Sequence, residues 1–308
     1  MGVMSTRDLE YTVLDVFAER PLEGNPLAVF HDARGLSTEQ MQAIARETNL
    51  SETTFVLPGD DAERERREGV RVRIFTTQEE LPFAGHPTLG TATWLKLYYP
   101  PLQAAETVTL KLNVGPIPVR FAAQEDGAGL VGTMRQNDPE FRERYTAEEV
   151  APVLGLRAGD LLPGHPPQVV STGNPFCIVA LKDVATLERL QVPQRESTSW
   201  LRQRRIRWFY CIAPVEAGPD QPVWRARMQW EAGEDPATGS AAGPCIAFLV
   251  SQGLVGAGVQ AVLHQGIEMK RPSKLFVRAS QSANNVHDVE VAGRTIPVAT
   301  GHFFGVLP

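Results

Sequence analysis

The sequence predicts an α+β fold in which one arrangement of strands and helices occurs twice. Two Gly-Asn-Pro turns precede strands, and their asparagines, Asn25 and Asn174, are 149 residues apart. Two glycine turns precede long helices, and their glycines, Gly85 and Gly239, are 154 residues apart. Gly-Asn-Pro is common turn chemistry and can recur by chance. The matching order of elements around both landmarks favours a duplication.

The first half begins with an alternating strand at residues 11–17 and continues after the turn with a strand at 27–30. Ser37 and Gln40 have the spacing of a capping box, which predicts a helix to Thr48. The later elements are strands at 53–57 and 70–75, a helix after Gly85 that runs through Tyr98, and β-rich sequence at 107–121. Mixed charges at 60–68 indicate a solvated loop.

The second half repeats this order. We expect strands at 168–171 and 176–181, a short helix at 184–190, strands at 206–212 and 223–230, a helix from 238 to about 252, and β-rich sequence to the end. Residues 121–146 are interpreted as the connection, with a capping box at Thr146 and Glu149. We place the halves at residues 1–125 and 126–308, with a final strand that could pack back on the N-terminal half.

Composition limits the function. A length of 308 residues fits two domains, and a formal charge of −6 argues against a basic face for nucleic acid. No stretch approaches the roughly 18 apolar residues of a membrane span, and the polar N-terminus does not resemble a signal peptide. Three cysteines without CxxC spacing favour a reduced, cytoplasmic protein. Six histidines without HxH or HxxxH spacing argue against a metal site.

The two glycine turns are candidate anion sites. Free N–H groups at a helix start attract an anion, and small residues let it approach closely. This makes Gly85 in the first half a candidate for binding a small anionic substrate. In the second half the candidates are Thr238, Gly239, Ser240 and Ala241. The alternative is that these glycines only permit tight turns.

Acid–base candidates lie near these turns. Glu52 precedes an apolar strand, where partial removal from water would raise the pKa of its carboxyl, although an exposed Glu at a strand edge fits as well. His86 could bind substrate or relay a proton, or could be a satisfied turn histidine. Asp235 could take part in catalysis or cap the second helix. Ser240 lacks a GxSxG elbow, so hydrogen bonding to substrate is expected rather than nucleophilic attack.

Several long motifs resemble the PhzF-like isomerases of phenazine biosynthesis. They occur in the order known for that family and cover essentially the whole chain; they are residues 49–56, 73–76, 80–88, 234–243 and 265–272. The resemblance implies the diaminopimelate-epimerase-like fold. That fold has two pseudo-symmetric domains, each a barrel-like, mostly antiparallel sheet around a central helix, and it usually occurs as a homodimer.

The resemblance also implies an activity. The best-understood family member isomerises a dihydro-hydroxyanthranilate by moving a proton along a conjugated ring, without metal or cofactor. Glu52 matches its acid–base glutamate, His86, Asp235 and Ser240 match residues around the substrate, and Gly85 matches the glycine of the first helix start. We expect residues of both halves to converge on one cleft.

Related epimerases of this fold use a cysteine in each half as paired bases. The corresponding positions here are Ala84 and Thr238. Neither side chain can act as a base near neutral pH, which excludes the two-thiol mechanism. Two alternatives stay open: an epimerase or tautomerase of another amino or hydroxy acid, and a binding protein that has lost activity.

Overall fold

The computed structural model describes residues 7–122, 128–215, 221–231, 233–283 and 285–307. The chain forms two compact units, which we call unit 1 (residues 1–134 and 293–308) and unit 2 (residues 135–292). The boundary expected at 125/126 lies outside the described residues. In the described ranges, no helix has the length and apolar character needed to cross a membrane.

The described residues of unit 1 form the first three helices and the first eight strands, apart from the last residue of the eighth strand. In chain order these are β1 (Arg7–Val16), β2 (Asn25–Phe30), α1 (Thr38–Thr48), β3 (Glu52–Leu57), α2 (Ala62–Glu68), β4 (Val70–Phe75), β5 (Glu80–Leu81), α3 (Gly85–Tyr98), β6 (Thr107–Leu112), β7 (Gly115–Phe121) and β8 (Leu130–Arg135). The capping box predicted for α1 is confirmed, since Ser37 and Gln40 bond reciprocally.

The sheet of unit 1 closes into an eight-stranded barrel. Its strands follow the order β1-β2-β3-β4-β6-β7-β8, and the last strand of the chain, β18 (Asn285–Leu307), lies between β8 and β1. The register of β18 on β1 includes Thr12 opposite Thr300. Helix α3 is buried along residues 85–95 and packs against β1, β2, β3, β6 and β7. A helix that is buried on every side belongs in a core, so α3 is the central helix of this barrel.

The Gly-Asn-Pro turn of unit 1 requires glycine for two reasons. Gly24 has φ +69°, where an L side chain is strained. A Cβ on Gly24 would also lie 2.4 Å from the carbonyl oxygen of Val16. The tight turn places Asn25 at the first position of β2, fully buried.

The described residues of unit 2 form four α-helices and the remaining strands. In chain order these are β9 (Glu140–Arg144), α4 (Ala147–Val150), β10 (Gln168–Ser171), β11 (Pro175–Ala180), α5 (Val184–Glu188), α6 (Gln194–Gln203), β12 (Trp208–Val215), β13 (Val223–Arg227), β14 (Gln229–Trp230), β15 (Gly233–Glu234), α7 (Gly239–Ser251), β16 (Ala261–Gln265) and β17 (Ser273–Ser282), followed by residues 285–292 of β18. The capping box of Thr146 and Glu149 is confirmed at α4.

Helix α7 packs on one face of the unit 2 sheet against β10, β11 and β17. Along β12 successive side chains alternate between faces. Phe209 and Cys211 pack in a cluster with Leu187 and Leu201 from α5 and α6, while Tyr210 points to the other face and bonds Gln265. The two faces of this sheet are therefore both covered by helices.

The strand pairings follow one succession in both units. In unit 1, β1/β2 are antiparallel, β2/β3 parallel, β3/β4 antiparallel, β4/β6 parallel and β6/β7 antiparallel. In unit 2 the pairs β10/β11, β11/β12, β12/β13, β13/β16 and β16/β17 have the same directions in the same order. Positions in the two units can therefore be matched by register.

Two sequence interpretations are wrong. Residues 62–68 form a helix rather than a solvated loop. The side chain of Asp61, at the N-cap, accepts a hydrogen bond from the N–H of Arg64, and Glu65 is buried. The segment 121–146 is not merely a connection, since it contains β8 and β9. Helix α6 had no counterpart in the sequence prediction.

Candidate active site

The start of α3 is buried and carries no side-chain cap. Its N-cap residue is Ala84, whose methyl group cannot accept a hydrogen bond. Gly85 and His86 form the first helical positions, so the helix begins two residues before Pro87. The hydroxyl and the N–H of Thr88 both donate to the carbonyl of Ala84, at 2.7 and 3.2 Å. The His86 side chain therefore lies in the uncapped first turn of the helix.

Three polar side chains of unit 1 meet at this helix start. His86 Nε2 lies 3.6 Å from Glu52 Oε2, beyond hydrogen-bond length, and Asn25 Nδ2 donates to His86 Nδ1 at 3.4 Å. Because Nδ1 accepts this hydrogen bond, the proton of the neutral imidazole is on Nε2, the nitrogen that faces the Glu52 carboxylate. The side chain of Glu52 is 17% exposed, whereas that of His86 is 5% exposed. Strand β3 therefore presents a partly accessible carboxylate beside a buried imidazole.

The imidazole of His86 is neutral at physiological pH. Removal from water penalises the imidazolium form and lowers the pKa of His86 to about 3. Nε2 is buried and has no hydrogen-bond partner in this part of the structure, so desolvation outweighs the attraction of the Glu52 carboxylate 3.6 Å away. A neutral imidazole with a proton on Nε2 can donate a hydrogen bond without carrying charge.

Acidification should destabilise the protein through His86. The pKa of His86 is lower in the folded state than in the unfolded chain, where it is near 6.5. Between about pH 3 and 6.5 the unfolded chain therefore binds more protons, and the folded state becomes less stable as the pH is lowered. We expect the free energy of unfolding to drop by about 2 kcal/mol from pH 7 to pH 5 from this group. Urea denaturation at both pH values should show a smaller drop in His86→Gln. The same slope in wild type, His86→Gln and the exposed variant His302→Gln would contradict the assignment.

The start of α7 in unit 2 is organised by one buried amide. Gln265, at the end of β16, is fully buried. Its Nε2 donates to the carbonyl of Asp235 at 2.7 Å and to the hydroxyl of Thr238 at 2.9 Å. Its Oε1 accepts from the N–H of Thr238 at 3.1 Å and from the hydroxyl of Tyr210 at 2.9 Å. The loop before α7 is therefore fixed to the sheet.

The side chain of Asp235 bonds the residue at the N-cap of α7. Thr238 is the N-cap, without a side-chain bond to the helix, and its hydroxyl donates to Asp235 Oδ2 at 2.6 Å. Asp235 is buried, Gly239 and Ala241 are buried, and Ser240 is partly exposed. A partly exposed hydroxyl at the second position of a helix is available to donate to an anion.

Register matching shows that the two units carry different side chains at corresponding places. Glu52 lies opposite Leu27 in β2, and Trp208 lies opposite Phe176 in β11; Leu27 and Phe176 each directly follow the proline of a Gly-Asn-Pro turn. Trp208 is therefore the counterpart of Glu52. By the same matching, Ser240 is the counterpart of His86. Unit 2 has neither a carboxylate nor an imidazole at these two positions.

The cysteines cannot replace that missing base. Cys177, Cys211 and Cys245 are free and buried. Burial raises the pKa of all three thiols, that of Cys211 to about 12, so they are protonated near neutral pH. Within the described ranges no group of His, Cys, Asp and Glu side chains could hold a metal ion.

Two residues of these sites were not assigned a role from the sequence. Asn25 was interpreted only as part of a turn, and Gln265 only as part of a motif. The signal for Asn25 was available, because an asparagine that begins a buried strand must find a partner for its amide. Gln265 follows four strand residues, and only the tertiary structure reveals that all its polar atoms are used.

A model of the family described as "phenazine biosynthesis-like protein" (PhzC-PhzF) matches residues 14–301. The chain belongs to this family. It is 37% identical over 302 residues to the trans-2,3-dihydro-3-hydroxyanthranilate isomerase of Pseudomonas aeruginosa, which covers 96% of this chain and 99% of the relative. The resemblance inferred from the motifs is thereby confirmed, and the protein is an isomerase of the PhzF type.

Solved structures confirm the fold. A PhzF-family phenazine biosynthesis protein of Bacillus anthracis superimposes with a TM-score of 0.84 at 26% identity, over 96% of this chain and 99% of that one. A hydroxyproline epimerase of Agrobacterium vitis has a TM-score of 0.62 at 14% identity, over 99% and 95% of the two chains. The epimerase likeness extends to the fold alone.

Proposed function

We propose that this PhzF-family isomerase moves a proton between two carbons of a small carboxylic acid without a cofactor. The reaction is of the same type as the isomerisation of trans-2,3-dihydro-3-hydroxyanthranilate. The observation that carries the proposal is the partly exposed carboxylate of Glu52 beside the neutral imidazole of His86. The P. aeruginosa relative named for this substrate supports the choice of substrate class.

Glu52 is assigned as the single acid–base group. Its carboxylate takes a proton from one carbon, the electron pair of the broken C–H bond shifts along the conjugated system, and the carboxylic acid returns the proton at another carbon. Since Trp208 is the counterpart of Glu52 in unit 2, a second base at the matching position is missing. One base that both removes and returns a proton suits an allylic shift better than an inversion by two opposed bases.

The other candidate residues hold and polarise the substrate. His86 donates through Nε2–H to an oxygen on which negative charge develops. The helix start formed by Gly239, Ser240 and Ala241 attracts the substrate carboxylate, with Gly85 in the same role in unit 1. Asp235, held by Thr238, accepts a hydrogen bond from a substrate amino or hydroxyl group.

We also propose that the protein acts in the cytoplasm as a homodimer. Its three buried thiols are suited to a reducing compartment. The dimer is proposed from the likeness to the PhzF family. Sedimentation at micromolar concentration should give twice the chain mass of 33.8 kDa.

The activity is tested by incubating the purified protein with trans-2,3-dihydro-3-hydroxyanthranilate and following loss of the substrate chromophore. We expect turnover that persists after dialysis against EDTA. A parallel series with L-proline, trans-4-hydroxy-L-proline and other amino acids, followed by polarimetry, tests the epimerase alternative. Epimerisation without isomerisation would overturn the proposal, and so would binding without turnover of any of these compounds.

A further inference from the structure

Each unit contains an arginine–glutamate pair at matching positions. The pairs are Arg73 with Glu80 in unit 1 and Arg227 with Glu234 in unit 2. Both members are displaced by 154 residues, the same offset as the two helix starts. In each unit the glutamate lies five residues before the first helical glycine, Gly85 or Gly239. The pairs therefore occupy the same place in front of the two helices that carry the candidate site residues.

The unit 2 pair is bidentate, and its arginine is almost fully buried. Arg227 Nε and Nη2 each donate to one oxygen of Glu234 at 2.8 Å. Arg227 Nη1 donates to the carbonyls of Leu187, Glu188 and Leu190 at 2.9, 2.9 and 3.1 Å. The side chain of Arg227 is 4% exposed. One guanidinium thus ties β13, the end of α5 and the loop before α7 together.

The unit 1 pair has the same geometry with different neighbours. Arg73 Nε and Nη2 donate to the two oxygens of Glu80 at 2.8 and 2.5 Å. Arg73 Nη2 also donates to the hydroxyl of Thr38 at 2.9 Å, at the first turn of α1. Asn113 donates to Glu80 Oε1 at 3.0 Å. The strand, an outer helix and the loop before the central helix are again joined by one arginine.

Glu234 is also covalently adjacent to Asp235. The N–H of Asp235 donates to the carbonyl of Met228 at 3.0 Å, and the carbonyl of Asp235 accepts from Gln265. The guanidinium and the carboxylate are both planar, and the two parallel hydrogen bonds between them fix their relative orientation as well as their distance. The ion pair therefore limits how the backbone enters Asp235, and through it the direction of the carboxylate and of the first N–H groups of α7.

We infer that Arg227 and Glu234 are positioning residues of the isomerase, which set the orientation of Asp235 and of the start of α7. Arg73 and Glu80 do the same for the start of α3. This inference rests on the proposed function, because it assigns Asp235 and the helix starts to substrate binding. A buried ion pair contributes little net stability compared with well-packed apolar residues of similar volume, so stability alone is a weak reason for two such pairs at matching positions.

The test is Arg227→Lys, which keeps the charge and removes the planar fork. We expect kcat for trans-2,3-dihydro-3-hydroxyanthranilate to fall about 10- to 100-fold, as for a displaced orienting group, and KM to rise as well, because the start of α7 also binds the substrate. Hydrogen–deuterium exchange should become faster in residues 234–243. Should Arg227→Lys fail to fold, Arg73→Lys, whose side chain is 17% exposed, provides the same test for residues 80–90.

The matched control is Arg225→Lys. Arg225 is on the same strand, is 12% exposed and donates to Glu268 at 2.5 Å and to Glu188 at 3.4 Å. Glu268 also lies 3.9 Å from Arg227, so lysine at 225 keeps a positive charge beside Glu268 and leaves the fork between Arg227 and Glu234 in place. We expect unchanged kcat and unchanged exchange at 234–243. An equal loss of kcat in Arg225→Lys would overturn the inference, and so would faster exchange in Arg227→Lys with unchanged kcat. Because exchange needs no turnover, an inactive wild type would overturn the proposed reaction, and the exchange data would still decide whether the pair positions the loop.

Discussion

Glu52→Gln should reduce kcat by about a thousandfold or more while leaving the fold intact. Removal of a general acid–base group typically costs 10²- to 10⁴-fold. Unit 2 has no carboxylate at the position that corresponds to Glu52, because Trp208 lies there. Glutamine keeps the shape of the side chain and can still hydrogen-bond, but it cannot accept the substrate proton. The measurement is steady-state turnover of trans-2,3-dihydro-3-hydroxyanthranilate.

Substrate affinity distinguishes loss of chemistry from loss of binding. Titration calorimetry of Glu52→Gln with a non-reacting anthranilate analogue should give a Kd close to that of wild type, because the proposal assigns binding of the acidic group to the helix starts. Glu47→Gln, an exposed position on α1, is the control for the charge change. Full activity in Glu52→Gln would remove the assignment of the proton to this residue.

The elements with periodic or capping signals could be predicted from the sequence. The strands at Val70–Phe75 and Gln168–Ser171 have the predicted bounds, and each begins directly after a glycine or proline, Gly69 or Pro167. The missed elements lack a periodic pattern of apolar residues. Helix α2 has the sequence AERERRE, and only Glu65 is buried in it. Its many charged residues therefore predict a solvent-exposed loop rather than a helix. Strand β9 is EFRER at the end of the sheet row, where one face of polar residues is tolerated.

The candidate site divides in the same way. Motifs indicated Glu52, His86 and Asp235, because carboxylates and imidazoles near glycine turns are unusual enough to be noticed. Their partners are amides whose roles depend on contacts between distant residues, 61 positions apart for Asn25 and His86 and 30 for Asp235 and Gln265. The neutral state of His86 likewise follows from its burial, which the surrounding sequence does not reveal.

Gln265→Leu should destabilise the folded protein strongly. Leucine has a similar volume but leaves the hydroxyl of Tyr210, the N–H of Thr238 and the carbonyl of Asp235 without the partners they have now. Each unsatisfied buried group costs about 1–3 kcal/mol, so the three groups together predict a loss of about 3–9 kcal/mol in the free energy of unfolding. This is a large share of the 5–15 kcal/mol typical of a folded domain. Urea denaturation measures it directly.

Gln168→Leu separates this network effect from the loss of any buried glutamine. Gln168 is also in unit 2 and 4% exposed, but its Nε2 donates only to the carbonyl of Arg142, at 3.3 Å, while its Oε1 has no hydrogen-bond partner in the described structure. Its replacement should therefore cost about 1 kcal/mol. Similar losses in the two variants would mean that the four bonds of Gln265 contribute no more than one. A selective loss in Gln265→Leu, with kcat reduced in the fraction that remains folded, would show that the loop carrying Asp235 depends on this single amide for both its stability and its geometry.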